Sequence, residues 1–298
     1  MSSSAIEIFE TQRQTLMGLA YRVLGSVAEA EDVVQDTMIA WLGEKDDSIS
    51  NPQGWLTTVC VRKALDVLKS ARRARTSYIG AWLPEPMHTE VLDDPECQLS
   101  LSESVTMAFM LVLERLAPKE RAAFLLHDVF EMDYRDIAAS LDIAEPACRK
   151  LVSRARANVQ RAEAVHQAPK DRQDELLEAF MAAVHTGETG SLVSMLAHDV
   201  TVQSDSGGKA TAVSRTLIGV KEALAFVTKV LGHYWNKGDV VSLELNSSRG
   251  LVSLVDGRAE AVITFGFNAE GKASQIFVTR NPDKLARIDA QSGVLVRH

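Results

Sequence analysis

The sequence predicts a multidomain chain of two all-α domains followed by an α+β domain. Three observations predict it. Residues 5–165 repeat apolar side chains at three-to-four spacing with little strict alternation, the period of amphipathic helices. Near the end of that stretch, Tyr134–Val159 reads as a short helix, a tight turn and a basic second helix. After residue 170 the period changes to two, and Asp256-Gly257 sits between two alternating runs as a hairpin signal. A chain of 298 residues exceeds one ordinary domain, and 46% apolar residues suffice to give each part a core.

A first helix is expected from Ala5 to Leu24. Ser26 caps a second, with Glu29 completing a Ser-x-x-Glu capping box that satisfies orphan amides. Val33, Val34, Met38, Trp41 and Leu42 form its apolar side, and Glu31, Asp32, Gln35 and Asp36 its polar side. Asn51-Pro52 opens a third helix, because proline at the first helical position sacrifices no hydrogen bond. That helix carries Trp55, Leu56, Val59 and Leu65 and ends in Lys69, Arg72, Arg73 and Arg75. A linker with Pro84, Pro86 and Pro95 follows. Its Trp82-Leu83-Pro84-Glu85-Pro86 places large apolar groups where solvent is expected, which is costly unless they dock. A second helical domain runs from about Leu99 to Val165, and Pro169 marks the next boundary. Beyond it come helices at Gln173–His185, Ser191–Ala197 and Val220–Leu231. Strands are expected at Val200–Val202, Ala210–Leu217, Val240–Leu245, Leu251–Val255, Ala259–Phe267 and Ser274–Thr279, in a curved antiparallel sheet.

The net charge of −8 argues against a nonspecific nucleic-acid coat but hides its distribution. Residues 51–75 carry six Lys/Arg against one acid, and residues 145–161 five against one. Residues 76–104 carry six acids and no Lys or Arg. Cys60, Cys97 and Cys148 are scattered without a C-x-x-C, so neither a disulfide framework nor a zinc site is expected, and Cys60 and Cys148 read as core residues. No cofactor and no metal are expected. The N-terminus lacks a basic-then-apolar leader, and the longest apolar run, Met107–Leu113, cannot span a bilayer, so a cytoplasmic, membrane-free chain is expected.

Tyr134–Leu141 makes the first helix of the helix-turn-helix, Asp142-Ile143-Ala144 the turn and Glu145–Val159 the second helix. Cys148, Leu151 or Val152, Ala155 and Val159 line its inner stripe. Arg149, Lys150, Ser153, Arg154 and Arg156 lie outward, able to pair with guanine edges or neutralise phosphates. An ordinary helical hairpin with a solvated basic face is the bland alternative.

Ala28-Glu29-Ala30-Glu31-Asp32-Val33-Val34-Gln35-Asp36-Thr37 resembles the core-polymerase-binding helix of sigma region 2. Asn51-Pro52-x-Gly54-Trp55-Leu56, with Arg62, Lys63, Asp66 and Arg72-Arg73, resembles the part of region 2 that melts and reads the −10 element. Leu116-Ala117-Pro118-Lys119-Glu120-Arg121 and the helix-turn-helix are similar to region 4, which reads the −35 element. On these motifs the chain is identified as an extracytoplasmic-function RNA polymerase sigma factor. Trp82–Pro86, Asp205-Ser206-Gly207-Gly208-Lys209 and Asn281-Pro282-Asp283-Lys284-Leu285 match the subgroup (including the sigma J type) with a SnoaL-like C-terminal extension. Ser206 stands where that subgroup usually has Gly, and Ala144 where Ser or Thr commonly caps the recognition helix.

The resemblance implies four segments: region 2 at 1–78, a linker at 79–103, region 4 at 104–167 and a SnoaL-like domain at 170–298. It implies core RNA polymerase and promoter DNA as partners, with Glu31, Asp32, Gln35 and Asp36 on the polymerase. Arg62, Lys63, Lys69, Arg72 and Arg73 would track −10 phosphates, and the loop Glu44–Ser50 would capture a flipped base. The recognition-helix residues Arg149, Lys150, Ser153, Arg154 and Arg156 would read the −35 element. SnoaL-like domains form a cone, and catalysis there would need an acid or base such as Asp205, His233 or Tyr234. We expect instead no enzyme activity and no obligatory anti-sigma partner: the Asp205–Lys209 loop and Asn281–Leu285 tail touch the linker and regulate in cis. No residue pattern in the sequence supports a small-molecule ligand of the cone. A ligand-sensing DNA-binding regulator explains the helix-turn-helix but not the acidic helix, and a SnoaL-type isomerase or cyclase explains only residues 170–298.

Overall fold

The computed structural model describes residues 3–44, 49–75, 78–89, 105–161, 166–235, 238–288 and 294–295. Cys97, Pro95 and most of the Glu44–Ser50 loop lie outside them, as do the side chains of Arg72 and Arg73. The described residues form two compact units. One holds 3–44, 49–75 and 110–161; the other holds 78–89, 105–109 and everything described from 166 onward.

The first unit is helical. Helix α1 (Ser3–Leu24) stops at Gly25, whose positive φ of 70° lets its amide close on the Tyr21 carbonyl. Ser26 then caps α2 (Val27–Gly43) by accepting from the Glu29 amide. The Trp41 indole donates to the Ala5 carbonyl at 2.8 Å, fastening the end of α2 to the start of α1. Helix α3 (Pro52–Arg75) has both a first-turn proline and a side-chain cap, since Asn51 Oδ1 accepts from the Gly54 amide at 3.0 Å. A Cβ on Gly54 would lie 2.6 Å from that Asn51 side chain, so the cap itself requires glycine.

Helices α4 (Met107–Glu114) and α5 (Pro118–Phe124) follow, the latter continuing as a π-helical turn through Val129. Helices α6 (Tyr134–Leu141) and α7 (Glu145–Gln160) complete the helix-turn-helix at the expected positions. Asp142, at φ 51°, reverses the chain between them. Cys148, Val152 and Ala155 are the buried stripe of α7. The buried Arg121 knits this unit together. It donates to the carbonyls of Leu113 and Val23 and pairs with Glu114 at 2.6 Å. The other Glu114 oxygen takes Arg75, which also donates to the Leu24 carbonyl. Helices of both predicted helical domains therefore share one ionic knot around the buried Arg121. Cys60 is fully buried and its thiol is pushed up to about 12 by burial, which makes it a core residue rather than a reactive one.

The second unit is α+β. Helices α8 (Lys170–Thr186) and α9 (Gly190–Met195) lead into β1 (Leu196–Asp205); β2 (Leu217–Ile218), α10 (Val220–Ala225), a π-helical turn and α11 (Gly232–Trp235) follow. Strands β3 (Asp239–Leu245), β4 (Ser248–Val255), β5 (Arg258–Phe267) and β6 (Ala273–Thr279) come next, then α12 (Pro282–Leu285) and β7 (Val294–Leu295). Sheet order is β2-β1-β6-β5-β4-β3-β7. Two expectations need correction. The sheet is mixed rather than antiparallel, because β1 runs parallel to β6, which it meets only after β2, the helices that follow it and β3 to β5. The strand expected at Ala210–Leu217 shrinks to Leu217–Ile218, since only these two residues find partners, Val202 and Thr201.

Residue alternation gives the sheet two differently used faces. Val200 and Val202 of β1 and Ile276 and Val278 of β6 join the main core with α8, α9 and α10. The opposite face carries a smaller cluster, including Val241, Leu243, Val252 and Leu285. Asp256-Gly257 makes the expected two-residue hairpin with positive φ at both positions, and Asn246-Ser247 makes a second of the same kind.

Candidate functional site

In α2, Val33, Val34, Thr37 and Trp41 are buried, while Glu31, Asp32, Gln35 and Asp36 are exposed. The 3.6-residue period leaves these four as one continuous polar stripe. From this stripe Asp36 reaches Lys63 of α3, 3.5 Å away. The stripe can meet cations of an outside partner without losing buried contacts.

The basic residues divide into engaged and open groups. Arg62 donates to the carbonyls of Ser140 and Ala139 at 2.8 and 2.9 Å, while Thr58 and Ser140 hydroxyls lie 2.7 Å apart. Lys119 takes the Leu141 carbonyl at 3.0 Å. These cations satisfy the last carbonyls of α6 and oppose its C-terminal dipole. Arg62 thus holds α6 to α3. Lys69 pairs with Asp66 at 2.8 Å in the open.

On α7, Arg149 lies 4.2 Å over the Tyr134 ring and pairs with Glu145 at 2.7 Å. Arg154 pairs with the buried Glu120, and Arg156 grips both Asp128 oxygens at 2.6 and 2.7 Å. Lys150 and Ser153 are exposed and have no ion pair or hydrogen bond among the described residues. The N-cap position Ala144 makes no side-chain bond.

The densest polar cluster lies in the second unit, where the linker meets the sheet. Leu83, Pro84, Glu85, Pro86 and Met87 are buried there, so the apolar linker set is docked. Asp205, fully buried, organises it. Its carboxylate accepts from the Leu83 amide at 2.9 Å, the Tyr78 hydroxyl at 2.5 Å and the Gly207 amide at 3.0 Å, and pairs with Lys284 at 2.7 Å. Lys284 also donates to the Leu83 carbonyl and sits 4.4 Å over the Trp82 ring. One Asp–Lys pair therefore holds both the amide and the carbonyl of Leu83. Burial, and then the Asp205 carboxylate, push the Tyr78 phenol above its ordinary range, keeping it a neutral donor.

The glycine-rich loop and tail close around this pair. Asn281 donates to the Tyr78 hydroxyl at 2.9 Å and caps α12 by accepting from the Asp283 amide; Lys209 pairs with Asp283. A Cβ on Gly207 would lie 2.6 Å from Asn281, and one on Gly208 2.9 Å from Ile79. With φ of 57° and 74°, both positions require glycine. Ser206, in the departing position, accepts from the Gly208 amide at 3.3 Å and leaves the turn intact. Glu85, also buried, faces Arg287 at 3.7 Å.

Sequence reasoning missed the second half of this junction. The buried Asn246 accepts from the Met87 amide at 3.1 Å, donates from its own amide to the Met87 carbonyl, and donates from its side chain to the Val105 carbonyl at 3.0 Å. The neighbouring Ser247 amide donates to Thr89 Oγ1 at 2.9 Å. The Asn-Ser pair between two alternating runs was the available signal.

Of the three acid–base candidates for the cone, only His233 and Tyr234 line its cavity; Asp205 does not, being committed to the linker on the other side of the sheet. The expectation that Asp205 could act inside the cone is thereby corrected. Among the described residues, no group of three or more His, Cys, Asp or Glu could hold a metal ion, and no helix is long and apolar enough to cross a membrane.

Comparison with known proteins agrees with this layout. Residues 8–74 match the model for sigma-70 region 2 and residues 106–159 that for sigma-70 region 4. The ECF RNA polymerase sigma factor SigJ of Mycobacterium tuberculosis is 38% identical over 286 residues, 93% of this chain and 91% of that protein. The probable ECF sigma factor SigI of the same species is 27% identical, with 96% of each chain covered. The crystal structure of SigJ superposes with a TM-score of 0.72 at 33% identity, covering 94% of this chain and 98% of that one.

Proposed function

The chain belongs to the extracytoplasmic-function RNA polymerase sigma factors, and from that premise we propose that its C-terminal domain governs it in cis by gripping the linker between its two promoter-reading modules. As a sigma factor it directs transcription initiation through core polymerase and promoter DNA. The reading gives 1–78 the polymerase and −10 roles, 79–103 the tether, 104–167 the −35 role and 170–298 the control. The exposed stripe Glu31, Asp32, Gln35 and Asp36 serves the polymerase, where screened charges orient more than they hold. Lys63, Lys69, Arg72 and Arg73 follow phosphates near the −10 element. Arg62 joins them by exchanging the Ala139 and Ser140 carbonyls for phosphate oxygens.

The single observation that carries cis control is the Asp205–Lys284 pair closed on both backbone groups of Leu83. A tether held by a buried ion pair has few conformations, and releasing it changes how the two modules reach a promoter. The restraint lies within the same polypeptide, so a separate anti-sigma protein is not needed for it. Run-off transcription with purified core enzyme tests this, comparing full-length protein, chains truncated after about residue 169, and Trp82→Ala. Transcription from a cognate promoter should differ among the three. Equal activity in all of them overturns control in cis, and failure of every form to initiate overturns the assignment of the modules.

A further inference from the structure

The second unit encloses a cavity of about 440 Å³ on the core face of the sheet, within the size range of small-molecule sites. Its body is apolar, with Phe226, Leu231, Trp235 and Val278 among the walls. Among the described lining residues, the formal charges are Lys229, Arg280 and Glu260. Arg280 lies 3.6 Å from Glu260, whereas Lys229 is exposed with no ion pair among the described residues. Two cations against one anion leave the described lining with one uncompensated positive charge.

The cavity also stands back to back with the linker junction. In β1, Ser204 lines the cavity and the next residue, Asp205, holds Leu83. At the neighbouring end of β6, Arg280 lines the cavity and the next residue, Asn281, holds Tyr78. The two strand ends are themselves joined, since the Arg280 amide donates to the Asp205 carbonyl at 2.6 Å. Successive residues of a strand point to opposite faces. Anything that shifts Ser204 or Arg280 from the cavity side therefore shifts the groups that grip the linker.

We propose that this cavity binds a small amphipathic monoanion, an apolar body carrying one carboxylate or sulfonate group, and that its occupancy is transmitted through Asp205 and Asn281 to the linker. The apolar body fills the pocket floor, and the anionic group sits between Lys229 and Arg280. The transmission deepens the reading of the linker as a tether under cis control; the binding does not depend on it, and is measured without polymerase or DNA.

The test uses the full-length protein and two probes sharing one ring system: anilinonaphthalene sulfonate, and uncharged N-phenylnaphthylamine. The sulfonate should bind saturably with one site per chain, with energy transfer from the cavity-lining Trp235. The uncharged probe should bind about tenfold more weakly, and Lys229→Glu should weaken the sulfonate about tenfold while leaving the uncharged probe nearly unmoved. Ala261→Phe, which fills the cavity, should abolish binding of both; if it does not fold, Val255→Trp at the exposed mouth does the same without entering the core. Saturating sulfonate should also change hydrogen exchange at the Leu83 and Gly207 amides. Absent or unsaturable binding, more than one site, or binding indifferent to the filling variants overturns the site. Unchanged exchange at Leu83 overturns the transmission. Neither result touches control in cis, which run-off transcription judges separately.

Discussion

The acidic stripe of α2 and the acidic centre of the linker junction use the same chemistry in opposite ways. Glu31, Asp32 and Asp36 are exposed, and Asp36 reaches a loose pair to Lys63. Asp205 is fully buried and takes three hydrogen bonds and a lysine. An exposed carboxylate retains its attraction for an outside partner and adds little to folding. A buried one is committed within its own chain, and removing it strands the cation it held. With the stripe serving the polymerase as proposed, partner surface and internal fastener differ in burial rather than in residue type.

The largest expected effect comes from breaking the buried pair. Asp205→Ala leaves Lys284 without its carboxylate and the Leu83 amide without its acceptor. Loss of a partner from a buried pair costs about 3–5 kcal/mol. Urea unfolding of the full-length protein, followed by the tryptophans of the second unit, should register a loss of that size. A change below about 1 kcal/mol would mean that water replaces the carboxylate, and that the junction is weaker than its geometry implies.

The first unit has its own fastener, the partly buried Glu114. Burial raises its pKa, but the guanidiniums of Arg121 and Arg75 outweigh that and hold it below the ordinary 4.5. Folded Glu114 therefore binds its proton less tightly than unfolded Glu114. Its contribution to stability is full above pH 4.5 and is lost as pH falls through the lower folded value. Glu114→Gln should cost about 2 kcal/mol at neutral pH by weakening two charged hydrogen bonds. The gap between variant and wild type should close in acid. Parallel stability curves for the two proteins between neutral and acid pH would assign the acid sensitivity elsewhere.

Ala144 offers a smaller effect of opposite sign. It occupies the N-cap of α7 and makes no side-chain bond. Ala144→Ser supplies the missing acceptor and should stabilise the first unit by about 1 kcal/mol. Thermal unfolding measures this, and a lower melting temperature would show that Ser at 144 draws the turn away from its present conformation. Affinity for a −35 duplex should be unchanged, whereas Lys150→Ala, at an open position, should reduce the salt slope of that affinity by about 1.

Local chemistry made much of this legible in sequence. Asp256-Gly257, the turn at Asp142 and the inner stripe Cys148, Val152 and Ala155 follow from pairwise or periodic rules that act within one element. The parallel pairing of β1 with β6 was not legible, because residues 196–205 alternate identically whichever neighbour they meet. Ala210–Leu217 alternates too, yet only its last residue and Ile218 find a partner strand. The role of Asp205 was half legible. Its loop was recognised, but the alternating run was read only to Val202, so the face that position 205 takes was not. Arg62 was not legible, because its acceptors lie on α6, far along the chain.

Asp36 sharpens the comparison most because the folding effect should nearly vanish. Its pair with Lys63 spans 3.5 Å, with side chains 63% and 33% exposed. Exposed pairs contribute from zero to about 1 kcal/mol, so Asp36→Ala should move stability by less than about 0.5 kcal/mol. Affinity for core polymerase should nonetheless fall, and fall less at high salt, because the lost attraction is screened. Titration of labelled core enzyme at low and high salt measures both. If Asp36→Ala instead destabilised the protein as Asp205→Ala is expected to, with polymerase affinity intact, the stripe would be a structural element, and burial would no longer distinguish partner surfaces from internal fasteners.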